Sequence, residues 1–193
     1  MNLPNCLSLL RIILIPFFII LLFRGNYQLA VILLVVGALT DFLDGVLARS
    51  LNQITKLGTY LDPIGDKLFL ISSFTALTII RSPDSGNQLL PIWLTALVLS
   101  RELIVLLGSL IIFYSINEPD RSVTALSKTA TFFQMFTVGF VVLSLAFPGL
   151  ILIVYKVDFL ELFIWLTVIF TVISGYQYVH RGVRMLIAGG NKG

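Results

Sequence analysis

The sequence is poor in charged residues, cysteine and histidine. Only 12% of its 193 residues are charged, whereas 58% are hydrophobic. A soluble domain of this length exposes more polar surface, so an ordinary soluble protein is excluded. With a single cysteine, Cys6, the chain has no intramolecular disulfide framework, and the sequence contains no Cys/His cluster to bind zinc. The composition therefore indicates an integral membrane protein.

The positive charge of the chain is small and dispersed. The formal net charge is +3, and the basic residues stand singly near the ends of apolar runs. Such dispersed charge fits orientation in a membrane better than a nucleic-acid surface, so no nucleic-acid partner is expected. The N-terminus lacks the basic segment and cleavage site of a signal peptide, so the first apolar run is expected to remain as an anchor. The length suits one domain over residues 1–193.

Apolar runs dominate the chain, and several reach the roughly 20 residues that a transmembrane helix needs. We predict an all-α membrane protein, a bundle of six transmembrane helices preceded by a short interfacial helix near Pro4. The predicted spans cover residues 12–23, 28–49, 58–80, 89–114, 127–147 and 158–179.

Six spans place both termini on the same side of the membrane. That side would hold seven basic residues, which are Arg49, Lys56, Arg121, Lys128, Arg181, Arg184 and Lys192. The opposite side would hold only Arg24, Arg81 and Lys156. Because lysine and arginine favour the cytoplasmic side, we expect a protein of the cytoplasmic membrane with both termini in the cytoplasm.

Residues 41–66, DFLDGVLARSLNQITKLGTYLDPIGD, hold four of the ten acidic residues between very apolar segments. Asp41 and Asp44 are spaced to share one face of a helix, as are Asp62 and Asp66 on the next helix. Four carboxylates at a membrane edge repel one another unless cations compensate them. Oxygen ligands without histidine or cysteine favour Mg²⁺, Mn²⁺ or Ca²⁺. Four acids suffice for two metal ions, an arrangement that suits phosphoryl transfer.

Small residues accompany the acids at helical spacing. Gly45, Ala48 and Gly58 would leave room for a ligand to approach the metal ions and the backbone. Arg49 is placed to bind a phosphate. Each small residue alone is better explained by close helix packing, but their combination with four acids at fixed spacing favours a site.

The pattern D-x2-D-G-x2-A-R-x8-G-x3-D-x3-D resembles the motif of the CDP-alcohol phosphatidyltransferases, and all eight fixed positions are present. The phosphatidylglycerophosphate synthase and cardiolipin synthase branches are the most similar. Similar segments across the chain are NLPNCLSLLRIILIPFF, TDFLDGVLAR, TKLGTYLDPIGDKL, the pair Arg101–Glu102 and SKTATFFQM.

The resemblance implies a phosphatidyltransferase that acts on CDP-diacylglycerol. Its diphosphate would bind two Mg²⁺ or Mn²⁺ ions held by the four aspartates, and Gly45, Ala48, Arg49 and Gly58 would line the CDP-lipid site. The last acid, Asp66, would also act as the general base toward the acceptor hydroxyl, and CMP would leave. The resemblance also implies a homodimer among membrane lipids.

The remaining polar residues have two interpretations each. Arg101 and Glu102 interrupt an apolar span, so they form an internal ion pair or Arg101 contacts the acceptor or the diphosphate. Lys128 is an interfacial anchor or, as the family suggests, part of a pocket for an anionic acceptor. Arg181 and Arg184 either anchor the end of the last helix or close that pocket.

The acceptor itself is predicted to be glycerol 3-phosphate, with phosphatidylglycerol as the alternative. Synthases that use glycerol 3-phosphate commonly carry an arginine seven or eight residues after the Arg-Glu pair, where this chain has Gly108 and Ser109. The cardiolipin synthase branch tends to have this apolar version. Inositol phosphate and serine are less similar alternatives.

Two alternatives from other functional classes remain. A divalent-cation transporter would use the acids as a translocation site, although such sites usually lie near the bilayer midplane on paired helices. A structural scaffold would pair the acids internally, for which the nearby basic residues in sequence are Arg49, Lys56 and Lys67.

Overall fold

The computed structural model describes residues 3–50, 56–83, 86–116, 125–151 and 159–190. Side chains are described for residues 9–40, 65–83, 86–108, 126–149 and 159–184. The described chain is all-helical, apart from an isolated bridge between Arg81 and Gln88. Its helices are α1 (Leu3–Phe23), α2 (Tyr27–Ser50), α3 (Lys56–Ile79), α4 (Ile92–Ile116), α5 (Ala125–Ala146), α6 (Pro148–Ile151) and α7 (Phe159–Gly190).

The six long helices coincide with the six predicted apolar spans, with two differences. A separate short interfacial helix at the N-terminus was predicted, but α1 is one uninterrupted helix from Leu3 to Phe23. No helix-breaking residue separates the two predicted parts, and Pro16 lies further along within the helix. The predicted last span ends at Val179, with Arg181 and Arg184 expected at the end of the same helix, whereas the helix continues to Gly190 because no proline follows to break it.

A tight turn joins α1 to α2, as the Arg24–Asn26 segment predicted. Gly25 has a φ of 72°, a left-handed conformation that glycine adopts without steric cost. The amide of Gly25 donates to the carbonyl of Leu22, and the amide of Asn26 donates to that of Leu21. These bonds satisfy carbonyls at the end of α1, so α2 begins directly at Tyr27.

The chain forms two compact units. The first unit comprises Met1–Pro91 and Val138–Val157. Within it, α1 packs against both α2 and α3. The rings of Phe18 on α1 and Phe69 on α3 lie 5.2 Å apart between centroids. The core buries Phe18, Leu22, Leu70, Phe74 and Leu77 almost completely. The prediction of one domain stays a prediction.

The second unit comprises Ile92–Thr137 and Asp158–Gly193, and in it α4 packs against α7. Its interior is unusually polar for so apolar a chain. Gln134 donates to the hydroxyl of Thr171 at 3.0 Å, and the hydroxyls of Thr137 and Thr167 are 2.9 Å apart. All four side chains are buried. Hydrogen bonds of this kind hold helices together where apolar surroundings give no hydrophobic drive.

Large apolar side chains are exposed on the helices of both units. Phe17, Leu29, Phe132 and Trp165 each keep more than half of their surface accessible. Within the described residues, the stretches Leu126–Ala146 and Phe159–Arg184 are long and apolar enough to cross a membrane. A polar interior combined with an apolar exterior is the arrangement that lipid surroundings require.

Candidate active site

Two helices of the first unit carry the predicted acidic site. Asp41 and Asp44 lie in α2, and Asp62 and Asp66 lie in α3, so both pairs have the helical spacing that the prediction assumed. Both helices pack against α1. The side chains outside the described set are those of Asp41, Asp44, Gly45, Ala48, Arg49, Gly58 and Asp62.

Asp66 forms an ion pair with Arg11, to which the sequence alone assigned no role. Nη1 of Arg11, on α1, donates to Oδ1 of Asp66 at a distance of 2.7 Å. The Arg11 side chain is 7% exposed, whereas that of Asp66 is 43% exposed. Burial of an unpaired guanidinium would cost roughly several kcal/mol, so the carboxylate compensates a charge that α1 brings into the unit.

A signal for Arg11 exists in the sequence. Two leucines precede this arginine and two isoleucines follow it, and a lone cation within an apolar helix requires an anionic partner. The scaffold alternative counted only basic residues near the acids in sequence and therefore missed Arg11, which is 55 residues from Asp66.

Of the four predicted metal ligands, Asp66 is the one whose side chain is described. Asp66 supplies carboxylate oxygens on a side chain that stays 43% exposed while bound to Arg11. Within the described side chains, no group of three or more acidic, histidine or cysteine residues lies close enough to hold a metal ion. The other three predicted ligands lie outside those side chains.

In the second unit, Arg101 and Glu102 form the internal ion pair that was one of their two interpretations. Both are on α4 and almost fully buried, with 5% and 3% of their side chains exposed, and Nη1 of Arg101 donates to Oε1 of Glu102. Nη2 of Arg101 also donates to the hydroxyls of Ser127 on α5 and Ser174 on α7, the latter at 3.0 Å. Arg101 thus joins three helices, and its direct contact with an acceptor stays a prediction.

The other predicted acceptor ligands are more accessible. Lys128 and Arg184 are exposed, and Arg181 is half-buried. Lys128 directly follows Ser127, whose hydroxyl accepts the hydrogen bond from Arg101. The single histidine, His180, is exposed and stacks on the ring of Tyr176 at 5.9 Å between centroids.

Gly108 lies seven residues after Arg101, where synthases that use glycerol 3-phosphate commonly carry an arginine, and its surroundings are closely packed. A Cβ atom on Gly108 of α4 would lie 2.7 Å from Cε1 of Tyr178 on α7. Atoms at that distance overlap, so even alanine at position 108 would displace the tyrosine ring. The absence of a side chain at Gly108 therefore permits the approach of α4 to α7.

Comparison with known proteins agrees with the motif. The sequence model of the CDP-alcohol phosphatidyltransferase family matches residues 1–173. The chain is 34% identical to the CDP-diacylglycerol–glycerol-3-phosphate 3-phosphatidyltransferase of Aquifex aeolicus, over 96% of this chain and 98% of that protein. It is 33% identical to the Bacillus subtilis protein of the same name, over 92% of this chain and 93% of that protein.

The other branch suggested by the sequence is also represented. The chain is 35% identical to the cardiolipin synthase (CMP-forming) of Streptomyces coelicolor, over 75% of this chain and 66% of that protein. The family match includes the whole acidic motif and ends before Arg181 and Arg184. With its motif, its helical architecture and these relatives, the chain belongs to the CDP-alcohol phosphatidyltransferase family.

Proposed function

We propose that this chain transfers a phosphatidyl group from CDP-diacylglycerol to glycerol 3-phosphate and releases CMP. The observation that carries this proposal is similarity over nearly the full length to proteins named for that reaction. The acidic motif on α2 and α3 supplies the residues that such a transfer needs.

The donor half of the reaction is assigned to the first unit. Two Mg²⁺ or Mn²⁺ ions, held by the aspartates of the motif, would neutralise negative charge on the diphosphate and the developing phosphate charge. Gly45, Ala48 and Gly58 give the donor access to the backbone, and Arg49 binds one of its phosphates. The proposed metal ligands are Asp41, Asp44, Asp62 and Asp66.

The transfer is a substitution at the phosphorus atom on the lipid side of the diphosphate. The acceptor hydroxyl oxygen forms the new bond to that phosphorus, and Asp66 takes the hydroxyl proton. The bond from phosphorus to the bridging oxygen breaks, and the bridging oxygen leaves with CMP. This assignment requires an accessible carboxylate, which the 43% exposure of the Asp66 side chain supplies.

The acceptor half is assigned to cations of the second unit. Lys128, Arg181 and Arg184 reach solvent to different extents and would bind the phosphate of glycerol 3-phosphate. Arg101 is mostly enclosed by Glu102 and two serines, which favours support of the beginning of α5 over direct contact. The homodimer implied by the family resemblance stays a prediction.

The six long helices would each span the membrane. They have between 21 and 32 residues, enough to cross the hydrocarbon core, which takes roughly 20. The excess of basic residues on one side supports a cytoplasmic location for both termini and the acidic motif.

Phosphatidylglycerol as acceptor, which would make the protein a cardiolipin synthase, is the second candidate. The Streptomyces coelicolor relative favours it, as does the tight packing at Gly108, which leaves no room for a basic side chain there. The two candidates share the donor site and differ only in what the acceptor-binding residues recognise.

The deciding experiment offers both acceptors in parallel. Purified full-length protein in detergent receives CDP-diacylglycerol and Mn²⁺ with either glycerol 3-phosphate or phosphatidylglycerol, and the lipid product is identified by mass spectrometry. We expect phosphatidylglycerophosphate from the first mixture and little product from the second. Cardiolipin as the main product would instead establish the second candidate.

A metal chelator provides the control for this assay. EDTA should stop CMP release, and excess Mn²⁺ should restore it, because the carboxylates bind the diphosphate only through cations. Metal uptake into sealed vesicles without lipid turnover would replace the proposal with the transporter alternative, and turnover that is indifferent to EDTA would exclude the metal assignment.

A further inference from the structure

The contact between Arg11 and Asp66 connects a helix outside the acidic motif to the proposed general base. Arg11 lies on α1, and its guanidinium reaches Oδ1 of Asp66 at 2.7 Å. Asp66 is the one acid of the motif whose side chain is described, and α1 packs against both helices that carry the motif. Arg11 is therefore placed to act on the chemistry through Asp66.

The contact is well supported by the packing around it. At Gly65, next to Asp66, an added Cβ would meet Cγ1 of Ile12 at 3.5 Å, so α1 and α3 are in ordinary contact at this level. About one turn further along α3, the rings of Phe18 and Phe69 are 5.2 Å apart. These two contacts hold α1 against α3. The backbone that carries Arg11 is therefore fixed relative to the Asp66 carboxylate.

Arg11 is more deeply buried than Asp66, and this difference allows the guanidinium to orient the carboxylate. The Arg11 side chain is 7% exposed and Asp66 is 43% exposed, so the guanidinium holds the carboxylate from the buried side. The terminal torsion of an aspartate side chain is broad, and a carboxylate without a directional partner rotates through many positions. A planar guanidinium donates along fixed directions, which a lysine ammonium does not do.

We propose that Arg11 is a positioning residue that fixes the orientation of the Asp66 carboxylate for proton transfer. This inference rests on the proposed function, because it takes Asp66 as the base. It predicts that loss of the guanidinium slows the chemical step while substrate binding is largely retained. Misplacement of a reacting group by about 1 Å can cost roughly 100-fold in rate.

The test compares Arg11→Met and Arg11→Lys in purified full-length protein. We expect kcat for CMP release to fall about 10- to 100-fold in Arg11→Met, with the KM values for CDP-diacylglycerol and acceptor changed by less than about threefold. Arg11→Lys keeps the charge and should fold, but it lacks the planar donor group, so its kcat should also fall. The matched control is Arg24→Met, an exposed arginine just after α1, which should leave both constants unchanged.

A second readout does not depend on turnover. Mn²⁺ binding is measured by electron paramagnetic resonance of the free ion, with Arg11→Met introduced into wild-type protein and into the Asp66→Asn background. If Arg11 acts through Asp66, the substitution changes the dissociation constant at least about threefold in the first case and less than about twofold in the second. Equal changes in both backgrounds would show a general charge effect and overturn the proposal.

The outcomes separate this inference from the proposed function. Wild-type protein that releases no CMP with either acceptor would refute the proposed function. The Mn²⁺ measurement would then still decide whether Arg11 acts through Asp66. Active wild-type protein together with unchanged kcat in Arg11→Lys would overturn the positioning role and leave the proposed function standing. A rise in KM with unchanged kcat would also overturn it, because binding rather than orientation would have changed.

Discussion

Each unit contains a guanidinium–carboxylate ion pair, and the two pairs differ in the exposure of the acid. They are Arg11–Asp66 in the first unit and Arg101–Glu102 in the second. In the first pair the arginine is 7% exposed and the acid 43% exposed. In the second pair the values are 5% and 3%. An accessible acid can exchange a proton with a substrate, whereas a fully enclosed pair can only hold its surroundings in place.

The number of helices that each pair joins supports the same distinction. Arg11 connects α1 to α3 through one acid of the proposed metal site. Arg101 connects α4 to α5 and α7 through Glu102 and two serine hydroxyls. We therefore expect substitutions in the first pair to cause a large loss of turnover, and substitutions in the second pair to cause mainly a loss of stability.

The largest effect is expected from Asp66→Asn. Removal of a general base typically lowers the rate about 10²- to 10⁴-fold, and asparagine at this position cannot accept the proton. CMP release should fall by at least about 100-fold. Unfolding in detergent should also show a loss of stability, because Asp66→Asn removes the negative charge that the buried Arg11 guanidinium binds. Glu161→Gln, an exposed acid in the first turn of α7, is the matched control and should retain full activity. Retained turnover in Asp66→Asn would refute its assignment as the base.

Removal of the arginine from the enclosed pair should be the most destabilising change. Arg101→Met leaves the Glu102 carboxylate buried without its cation, which typically costs about 3–5 kcal/mol. The measurement is thermal or denaturant unfolding in detergent, followed by circular dichroism.

The control for this prediction is the double variant Arg101→Met, Glu102→Met. It removes both charges and should recover much of the lost stability, because apolar residues can replace a buried ion pair with little cost. In the double variant the KM for glycerol 3-phosphate should stay within about threefold of wild type. A much larger rise would show that Arg101 binds the acceptor, and the second pair could then not be described as purely structural.

A smaller loss of stability is expected from Gly108→Ala. The added methyl group would overlap the ring of Tyr178, and overpacking of this kind costs about 1–3 kcal/mol. Gly37→Ala is the matched control, since nothing lies within 4 Å of its added Cβ and the helix should gain slightly from alanine. Equal stability of the two variants would contradict the close approach of α4 to α7.

The smallest effect is expected from Thr137→Val in the polar interior of the second unit. The substitution removes the hydrogen bond to the hydroxyl of Thr167, and such bonds between helices in membranes average about 0.6 kcal/mol, with a maximum near 1.7. Unfolding in detergent should show a loss within that range. Thr75→Val, an exposed threonine on α3 bonded only within its helix in the described chain, should show less. The reverse order would indicate that the buried hydroxyls contribute nothing to packing.

Most of the helical architecture could be predicted from the sequence, because each long apolar run becomes a helix. The turn at Gly25 was also predictable from its composition. The predicted last span ends at Val179, where hydropathy falls, and Arg181 and Arg184 were expected at the end of the same helix. The helix depends on backbone hydrogen bonds rather than on hydropathy, and it continues to Gly190.

The tertiary contacts of the site were less predictable. The fixed spacing of the motif placed its acids in α2 and α3, but the Arg11–Asp66 contact joins residues that are 55 positions apart. Local spacing carries no information on such a contact. In the same way, the missing side chain at Gly108 was visible in the sequence, whereas its partner Tyr178 became evident only from the packing of α4 against α7.

The most direct test of the proposed phosphatidyl transfer is the stoichiometry of the reaction catalysed by the purified full-length protein. Labelled CDP-diacylglycerol is incubated with glycerol 3-phosphate and Mg²⁺ or Mn²⁺, and CMP and lipid product are quantified together. We expect equal amounts of CMP and phosphatidylglycerophosphate, and neither product when the acceptor or the metal ion is omitted. No CMP under any of these conditions, or CMP formed at the same rate without an acceptor, would contradict it.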